Sequence, residues 1–562
     1  MNKYWIYGAG YNSKRYIEKL KEFLEIEYIL DSAKDKIHTF IDGIEVIEPS
    51  MVKTSMYNGQ KIINTVTNPA FVGEIHDLLN SFGLKKNIDY IDAYEIVNIF
   101  PIPSGIASGV LQKIEGYKWS KGVDNKSRLL KKESEQRIFR VIKPEYCNRY
   151  KSILEVCEKN NLFDDYIIKT NVFNGIQELD KYLVLEHEFI NPVTYNYEWA
   201  PKMIKHSIFF TLDLIKKLTE VGLGLEDGHA LNVTIHKGNF VLLDFGALTD
   251  TLTEPSVLIE VLNTHIIPFV YIMKGKYDKA YMCMKNADIV FTITDIKGYL
   301  NKTELYALNT LYDLAAFSTH KQEVINFIDK TVEFLSNVDL INFDTRWKGY
   351  QNDEWNWSEN KKVWSTKMHS VIDSLIKLKP HTIIDLAGNM GWYGSYLNSQ
   401  VEYAIVADYD PMCIDYLWEK INDEHMKNVI PVYMSLCNPT LDYYKDYPIA
   451  QCGIEPWRKN AYVRFKSDVV IALAIIHHLV FAQQLSFEEI ICQLSLFSNK
   501  YLIIEFVDQT DRYITDFLKD GFEWYTKENF EAQLKQKYRV LDIKGSTPGE
   551  TRWIYICEKI VK

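Results

Sequence analysis

The residues best suited to chemistry lie in the last third of the chain, where predicted strands end. The apolar strand 382–386 leads through a turn into a helix, and this stretch contains Asp385, Gly388, Asn389 and Gly391. A glycine-bearing turn between strand and helix lets the backbone approach a ligand closely. The next strand, 403–407, is followed by Asp408, whose carboxylate can accept hydrogen bonds from both hydroxyls of a ribose. These residues predict a nucleoside-containing ligand at the carboxyl edge of a parallel sheet.

Two more strand ends carry side chains that could reach such a ligand. The strand 429–433 ends near Ser435, which could contact an adenine edge, and the strand 468–473 is followed by His477 and His478. Histidine titrates near neutral pH, so either ring could take the proton of a hydroxyl acceptor as a general base. The alternative is a helix-start pair in which one ring packs on the sheet. An anionic acceptor could be held by nearby arginines, although we favour surface solvation for each of Arg458, Arg464 and Arg512.

On these residues the region 346–562 resembles the class I methyltransferases, which bind S-adenosylmethionine. The resemblance implies a doubly wound α/β sheet in which the turn of Asp385, Gly388 and Gly391 wraps the methionine part and Asp408 holds the ribose. The loop departs from a strict G-x-G-x-G pattern, and Ser435 stands where many relatives carry aspartate. A glycine turn alone is weak evidence. The order of five strands, with an acid after the second and histidines after the fourth, favours the resemblance over a mere tight turn.

The middle of the chain carries a second set of candidate residues. Asp227 and Asn232 have the spacing D-x-x-x-x-N, and a strand follows that ends in Asp244-Phe245-Gly246. Asp227 could accept a hydroxyl proton, while Asn232 and Asp244 could hold Mg²⁺ on the phosphates of ATP. This pattern resembles the protein-kinase-like fold, an α+β domain. The resemblance places Arg140 where a phosphate-binding lysine is expected, with Glu155 or Glu158 as its acidic partner.

Two interpretations of this middle region stay open. One is phosphate transfer from ATP. The other is a kinase-derived fold without phosphate transfer that binds an acceptor or serves as a scaffold. No G-x-G-x-x-G loop precedes Arg140, and the usual lysine is absent. Because both losses weaken phosphate anchoring, we favour the second interpretation.

The N-terminus carries an incomplete dinucleotide fingerprint. Gly8 and Gly10 follow a short apolar strand, Ser13 replaces the third glycine, and Asp31 comes about twenty residues later. The segment resembles small Rossmann-like domains that bind a nucleotide or nucleotide-sugar. A Rossmann-shaped docking domain with an empty cleft is the alternative.

Length and composition set the frame for these sites. With 562 residues the chain is expected to form several domains, which we place at 1–100, 101–345 and 346–562. The net charge of -11 argues against a nucleic-acid partner. The eight cysteines show no metal-binding or redox spacing. We find no signal peptide, and the apolar run 469–479 is too short to span a membrane, so a cytoplasmic location is expected.

The sequence therefore favours a three-domain α/β enzyme that uses S-adenosylmethionine to methylate a hydroxyl of a glycan or specialised metabolite. A bifunctional kinase–methyltransferase, which phosphorylates and then methylates a surface polysaccharide, is the alternative. A non-catalytic scaffold of three ligand-binding domains is a third possibility. The first motif, with its acidic strand ends, argues against the scaffold.

Overall fold

The computed structural model describes most of the chain. The described residues are 3–10, 17, 20–21, 24–66, 69–86, 88–92, 114–120, 126–285, 291–337, 340, 345–437, 439, 459–514, 521–546 and 551–560. Most of the predicted N-terminal helix, 14–24, lies outside them, as do Ser13 and Arg458.

The N-terminal region forms a mainly parallel sheet of the kind that its glycine turn predicts. Its strands are β1 (Lys3–Tyr7), β2 (Glu25–Leu30), β3 (Phe40–Ile41), β4 (Ile44–Ile47), β5 (Lys61–Asn64) and β6 (Tyr90–Asp92), with helix α1 (Pro69–Ser81) between the last two. The strand order is β3-β4-β2-β1-β5-β6, and only β3 runs antiparallel to its neighbour. Gly8 therefore follows the central strand β1, where the backbone turns out of the sheet. The Rossmann-like assignment stays a prediction.

The central region begins with an antiparallel sheet. Its strands are β7 (Lys118–Ser120), β8 (Ser127–Lys132), β9 (Arg137–Ile142), β10 (Thr170–Val172) and β11 (Leu183–His187), in the order β10-β11-β9-β8-β7. Helices α2 (Cys147–Lys159) and α3 (Leu162–Asp165) lie between β9 and β10 in the chain. The kinase-like assignment of this region also stays a prediction.

A mostly helical part follows. It comprises α4 (Pro201–Val221), the short strands β12 (Gly224–Leu225), β13 (Val233–His236), β14 (Asn239–Leu242) and β15 (Leu248–Thr249), and helices α5 (Pro255–Val261), α6 (Ile267–Met273), α7 (Tyr277–Lys285), α8 (Ile293–Ile296), α9 (Lys302–Phe317) and α10 (Lys321–Ser336). A single π-helical turn, Leu262–Ile266, joins α5 to α6. Pro201 begins α4, where its fixed φ suits the first helical turn.

One helical stretch of the described chain, Pro255–Met273, is long and apolar enough to cross a membrane by length and composition alone. In this protein, 67% of its most apolar window is buried among other residues, which is typical of a core helix. In the sequence alone the stretch 255–273 is less conspicuous than 469–479, because the polar residues Glu260, Asn263 and His265 interrupt its apolar run.

The C-terminal region is a doubly wound sheet, as the sequence predicts. Helices α11 (Asn352–Asn356) and α12 (Thr366–Leu378) precede β16 (Thr382–Leu386), α13 (Trp392–Ser395), β17 (Tyr403–Asp408), α14 (Pro411–Glu424), β18 (Val429–Tyr433), α15 (Ala461–Arg464), β19 (Ser467–Ala472), α16 (Ile476–Phe481), α17 (Phe487–Phe497) and β20 (Ser498–Val507). The five parallel strands match the five predicted ones within three residues at each end. Their near-continuous apolar sequences fit burial on both faces.

Two further strands of this sheet were not predicted. After α18 (Lys527–Lys537), β21 (Tyr538–Gly545) and β22 (Arg552–Lys559) form an antiparallel pair, and β22 lies against β20. The full order is β18-β17-β16-β19-β20-β22-β21. β21 escaped prediction because its exposed edge-strand residues carry charge rather than a continuous apolar run.

The central and C-terminal regions share one continuous apolar core. The cluster that contains α4 also includes Ile414, Leu417, Trp418 and Ile421 of α14, all buried. Trp418 donates its indole N–H to Nδ1 of His206 on α4 at 2.8 Å. This contact excludes water along a whole helix face, so the two regions are held in one arrangement rather than joined by a free linker.

A buried ion pair crosses the same interface and corrects one expectation. Arg464, predicted to be solvated at the surface, is 7% exposed and forms a two-pronged ion pair with Glu198 of the central region, one prong at 2.9 Å. It also donates to the carbonyl of Val193 at 2.7 Å and lies over the ring of Tyr195. Arg464 stands at the end of α15, just before β19, and nothing in its local sequence marks its distant acidic partner.

Replacing Arg464 by Ala is expected to destabilise the full chain strongly, because the Glu198 carboxylate would remain buried without its partner. The cost of breaking a buried pair is about 3–5 kcal/mol, and we expect a lower melting temperature in a calorimetric scan. Arg539→Ala is the control, since the pair of Arg539 with Glu558 is exposed and exposed pairs contribute about 0–1 kcal/mol. Equal melting temperatures for both variants would contradict the assignment.

Candidate functional site

The site lies at the carboxyl edge of the C-terminal sheet, beside its central strands. β17 lies on one side of β16 and β19 lies on the other. The strand order therefore changes direction at β16, because the chain first builds the sheet outward through β17 and β18 and then crosses to β19. Such a switch point opens a crevice above the strand ends. The turn after β16 and the residues after β17 and β19 meet at this crevice.

The turn after β16 has room only for glycine at two predicted positions. A Cβ on Gly388 would lie 2.8 Å from Cγ1 of Val406 and 2.9 Å from Cγ of Asp385. Gly391 has a φ of +84°, and a Cβ there would lie 2.7 Å from the Leu417 side chain. Gly394, which was not predicted as a site residue, is equally confined, because a Cβ there would lie 2.7 Å from Cβ of Asp385. The backbone is therefore folded tightly around the Asp385 carboxyl.

Asp385 is a buried acid with an unused oxygen. It is 2% exposed, and its Oδ2 has no hydrogen-bond partner among the described residues. Burial raises the pKa of Asp385 to about 7, opposed by a backbone hydrogen bond from Gly394. A cation or hydrogen-bond donor placed in the crevice would satisfy this oxygen and return the pKa toward its ordinary range.

Asp408 is tied to the glycine turn. Its Oδ2 accepts from the N–H of Asn389 at 2.7 Å, and its Oδ1 accepts from the N–H of Asp410 at 2.8 Å. Burial raises the pKa of Asp408 to about 6, against the effect of these two bonds. Asn389 itself has a φ of +53°, a left-handed conformation that asparagine tolerates. The Tyr409 N–H also bonds this carboxylate, so of its four lone-pair positions one stays for a hydroxyl.

Ser435 lies two residues beyond β18 and is half-buried. Close to it, the rings of Tyr409 and Tyr433 stack with centroids 6.0 Å apart and planes 15° apart. Tyr409 directly follows Asp408 and is 68% exposed. This flat aromatic surface was not singled out from the sequence, where two tyrosines among 37 carry no signal.

His477 and His478 lie in the first turn of α16, directly after β19, as predicted. Their ring centroids are 4.2 Å apart. His477 is 6% exposed, and burial, followed by the charges of His478 and Arg552, lowers its pKa to about 3. His478 is half-buried with a pKa lowered mainly by burial. A ring with a pKa near 3 is a weak base, so His478 fits the base role better than His477.

The stretch 345–364, which holds none of the predicted site residues, contacts the glycine turn. The Asn389 side-chain amide donates to the carbonyl of Trp347 at 3.1 Å, and the Trp392 N–H donates to Oε1 of Gln351 at 3.1 Å. The Trp347 ring meets His478 edge-on, with centroids 5.2 Å apart. This stretch therefore forms one wall of the crevice beside the histidines.

The end of β20 carries two buried ion pairs. Glu505 is fully buried and accepts from Lys367 at 2.7 Å, and this cation outweighs the burial that would raise the pKa of Glu505. Asp511 accepts from Arg552 at 2.8 and 2.9 Å. Arg512, for which the sequence favours surface solvation over anion binding, lies at the surface beside Tyr513. The charges in this part of the structure are thus largely neutralised within the protein.

The candidate phosphate site of the central region is closed by its own residues. Arg140 forms an ion pair with Asp244 and donates to Ser127 at 2.8 Å. Glu155 and Glu158, the expected partners of Arg140, point to solvent. Asp244 also accepts from the N–H of Gly246 at 2.8 Å. Any phosphate or metal at this site would first have to displace the Arg140–Asp244 pair.

Asp227 and Asn232 lie in one loop, as their spacing predicts. The side-chain amide of Asn232 donates to the Asp227 carbonyl at 3.4 Å, and the Asp227 carboxylate accepts from the N–H of His229 at 2.9 Å. Within the described residues, no group of three His, Cys, Asp or Glu side chains is arranged to hold a metal ion.

In the N-terminal region, Asp31 bonds the fingerprint turn directly. Its carboxylate accepts from the N–H of Ala9 at 2.7 Å and of Ala33 at 2.8 Å, with Lys36 at 3.4 Å. Gly8 has a φ of +108°, which explains the glycine there. Asp31 thus ties Ala9 to the end of β2, and nucleotide binding by Gly8, Gly10 and Asp31 stays a prediction.

No protein-family model matches the chain. The chain is 26% identical over 412 residues to the nodulation protein NoeA of Rhizobium meliloti (strain 1021). The aligned stretch covers 67% of this chain and 82% of NoeA. The matched stretch is longer than the whole of 346–562, so the likeness extends beyond the C-terminal region.

Several solved structures that resemble part of the chain are methyltransferases. An S-adenosylmethionine-dependent methyltransferase from Aquifex aeolicus is 16% identical, covers 39% of this chain and 100% of its own, and has a TM-score of 0.26. The N-methyltransferase NodS of Bradyrhizobium japonicum WM9 is 8% identical over 37% and 99%, with a TM-score of 0.25. Magnesium protoporphyrin IX methyltransferase of Synechocystis PCC 6803 is 12% identical over 48% and 99%, with a TM-score of 0.26.

Gly388→Ala is expected to weaken binding of S-adenosylhomocysteine, because the added Cβ displaces the Asp385 carboxyl and the turn. Overpacking of this kind costs about 1–3 kcal/mol, which corresponds to roughly tenfold or more in affinity. Gly298→Ala is the matched control, since nothing lies within 4 Å of its Cβ. Isothermal calorimetry measures both, and unchanged affinity in Gly388→Ala would show that the turn is not part of the site.

Proposed function

We propose that the chain is a methyltransferase that uses S-adenosylmethionine, bound in the crevice at the carboxyl edge of the C-terminal sheet. The observation that carries this proposal is the pairing of two acids with one glycine turn. Asp385 is folded into that turn with a free buried oxygen, and Asp408 is bonded to it through the Asn389 N–H. A nucleoside ligand with a cationic arm matches both acids.

The residues present fit this cofactor on three counts. The Asp385 oxygen suits a cationic methionine arm, since a positive charge would offset the burial that raises its pKa. The Asp408 carboxylate, at the end of β17, suits a ribose diol. The confined positions Gly388 and Gly391 let the turn pack directly against Val406, Asp385 and Leu417, which holds its backbone close above the strand ends.

When bound, S-adenosylmethionine supplies an electrophilic methyl group. The protein's own task is then to hold an acceptor in line with that methyl group and to exclude water. Trp347 and His478 form the wall of the crevice on the acceptor side in this proposal. His478 would take the proton of a hydroxyl acceptor as a general base.

The acceptor class that we favour is a hydroxyl on a glycan or a specialised metabolite. NoeA is a nodulation protein, and its similarity to this chain extends beyond the C-terminal region. A second activity as a kinase is not favoured. Arg140 and the Gly246 N–H both bond Oδ1 of Asp244, which leaves less of this carboxylate for Mg²⁺.

The affinity for S-adenosylmethionine is expected to depend on the ionisation of Asp385. Because the pKa of Asp385 is raised to about 7, its charged form grows as the pH rises through that value. The ratio of parent affinity to Asp385→Asn affinity should therefore increase by roughly eightfold between about pH 6 and 7.5. Because any titration of the ligand changes both affinities by the same factor, their ratio reports only the ionisation of Asp385. A ratio that stays constant in calorimetry would rule out a contact between the cofactor and Asp385.

Methyl transfer itself can be tested with methyl-labelled S-adenosylmethionine and an extract of the source cells. We expect mass spectrometry to find the label on a hydroxyl oxygen, and Asp408→Ala to reduce it by roughly tenfold or more. Asp244→Asn, which keeps an acceptor for Arg140 and for the Gly246 N–H, is the control and should keep the parent's activity, with or without ATP and Mg²⁺. Labelling that requires ATP and is lost in Asp244→Asn would instead establish the bifunctional alternative, and no labelled product would contradict both.

A further inference from the structure

A cavity of about 170 Å³ lies in the central region, beside the Asp227–Asn232 loop, and its lining contains none of the residues of the C-terminal crevice. It is bounded by α5, the π turn Leu262–Ile266, α7 and the short stretch that begins with Asn196. Dry cavities of comparable size, about 150 Å³, can hold a six-membered hydrocarbon ring. The volume therefore fits a small organic molecule.

The wall of this cavity carries acceptor atoms that the protein does not use. Asn196 is 3% exposed, and its Oδ1 has no hydrogen-bond partner among the described residues. Oγ1 of Thr264, in the π turn, is buried and equally lacks a partner there. Buried polar atoms are normally paired, so two such atoms at one cavity point to a bound partner. π turns within α-helices also recur at functional sites.

The third polar group is an acid without a cationic partner. Glu260 lines the cavity and accepts from the N–H of Gly228 at 2.9 Å. Burial, and then the negative charge of Asp227, raises the pKa of Glu260 to about 7. Among the described residues, neither Glu260 nor Asp227 forms an ion pair with a lysine, arginine or histidine. Two neighbouring carboxylates without a counter-charge favour a cation from outside the chain.

Ile259, Met284, Cys283 and Phe291 form the apolar part of the remaining wall, and the polar residues His229, Ser256 and Asn263 also line the cavity. A ligand that pairs with the unused acceptors and fills the apolar part combines a positively charged hydrogen-bond donor with a compact hydrocarbon body. An alkylammonium group offers three N–H donors, one for each of the three acceptors.

We propose that this cavity is a binding site for a small organic ammonium ion, held by Glu260, Asn196 and Thr264. The site is independent of the methyltransferase proposal, because none of these residues belongs to the C-terminal crevice. It lies beside the Asp227–Asn232 loop, which Glu260 and His265 anchor through the backbone of Gly228. A ligand here would bind next to that loop without touching the Arg140–Asp244 pair.

Calorimetry of the full chain at about pH 8 tests the proposal with two probes of the same shape. Cyclohexylammonium is expected to bind saturably, and neutral cyclohexanol at least tenfold more weakly, because only the former supplies the charge that Glu260 lacks. Equal affinities for the two probes, or no binding of either below about 20 mM, would overturn the proposal.

Two variants locate the binding. Glu260→Gln keeps the shape and an acceptor for the Gly228 N–H but removes the charge, and should weaken cyclohexylammonium binding at least tenfold. Thr264→Val removes an oxygen that has no described partner. The fold should therefore tolerate this substitution, and cyclohexylammonium binding should weaken about threefold. Glu254→Gln, at the exposed start of α5, is the control and should bind like the parent. Parent-like affinity in both Glu260→Gln and Thr264→Val would place the ligand elsewhere and contradict the site.

Discussion

A buried carboxylate enclosed by glycines is the constraint on which the C-terminal crevice depends. Asp385 lies at the end of the central strand β16, and Gly388 and Gly394 pack so closely against it that a Cβ at either would come within 3 Å. The turn must therefore take one path, and that path aims the Asn389 N–H at Asp408. One close contact thus fixes both acids relative to each other, and it leaves a buried Asp385 oxygen whose charge a cationic ligand would balance.

The crevice is also held from outside its own sheet. α14 follows the ribose-side strand β17, and its buried face packs into the core of the central region through Trp418. The Arg464–Glu198 ion pair joins the same two regions just before β19. The central region therefore contacts the chain segments next to both strands that flank β16. These contacts tie the central region to the C-terminal sheet and do not involve the Arg140–Asp244 pair.

Local patterns made the parallel strands and the glycine turn predictable from sequence. β16 to β20 are continuous apolar runs, and Asp408 and the histidine pair stand directly at strand ends, where a doubly wound sheet gathers them. The remaining features depend on distant partners. Arg464 has its acid 266 positions away, Trp347 reaches the turn from a stretch with no regular pattern, and Tyr409 stacks on Tyr433 from a neighbouring strand. No local periodicity encodes such contacts, so Arg464 was mistaken for a surface residue and the crevice wall was missed.

The central claim is that the acids at the ends of β16 and β17 hold S-adenosylmethionine. Its most direct test is an NMR titration of the full chain with S-adenosylmethionine that carries a ¹³C-labelled methyl group. We predict a shifted, broadened methyl signal that S-adenosylhomocysteine reverses by competition and that Asp408→Ala abolishes while the variant keeps its fold. The account would be contradicted if the parent chain left the methyl signal at its free-ligand position. It would also be contradicted if Asp408→Ala shifted the signal as much as the parent chain does.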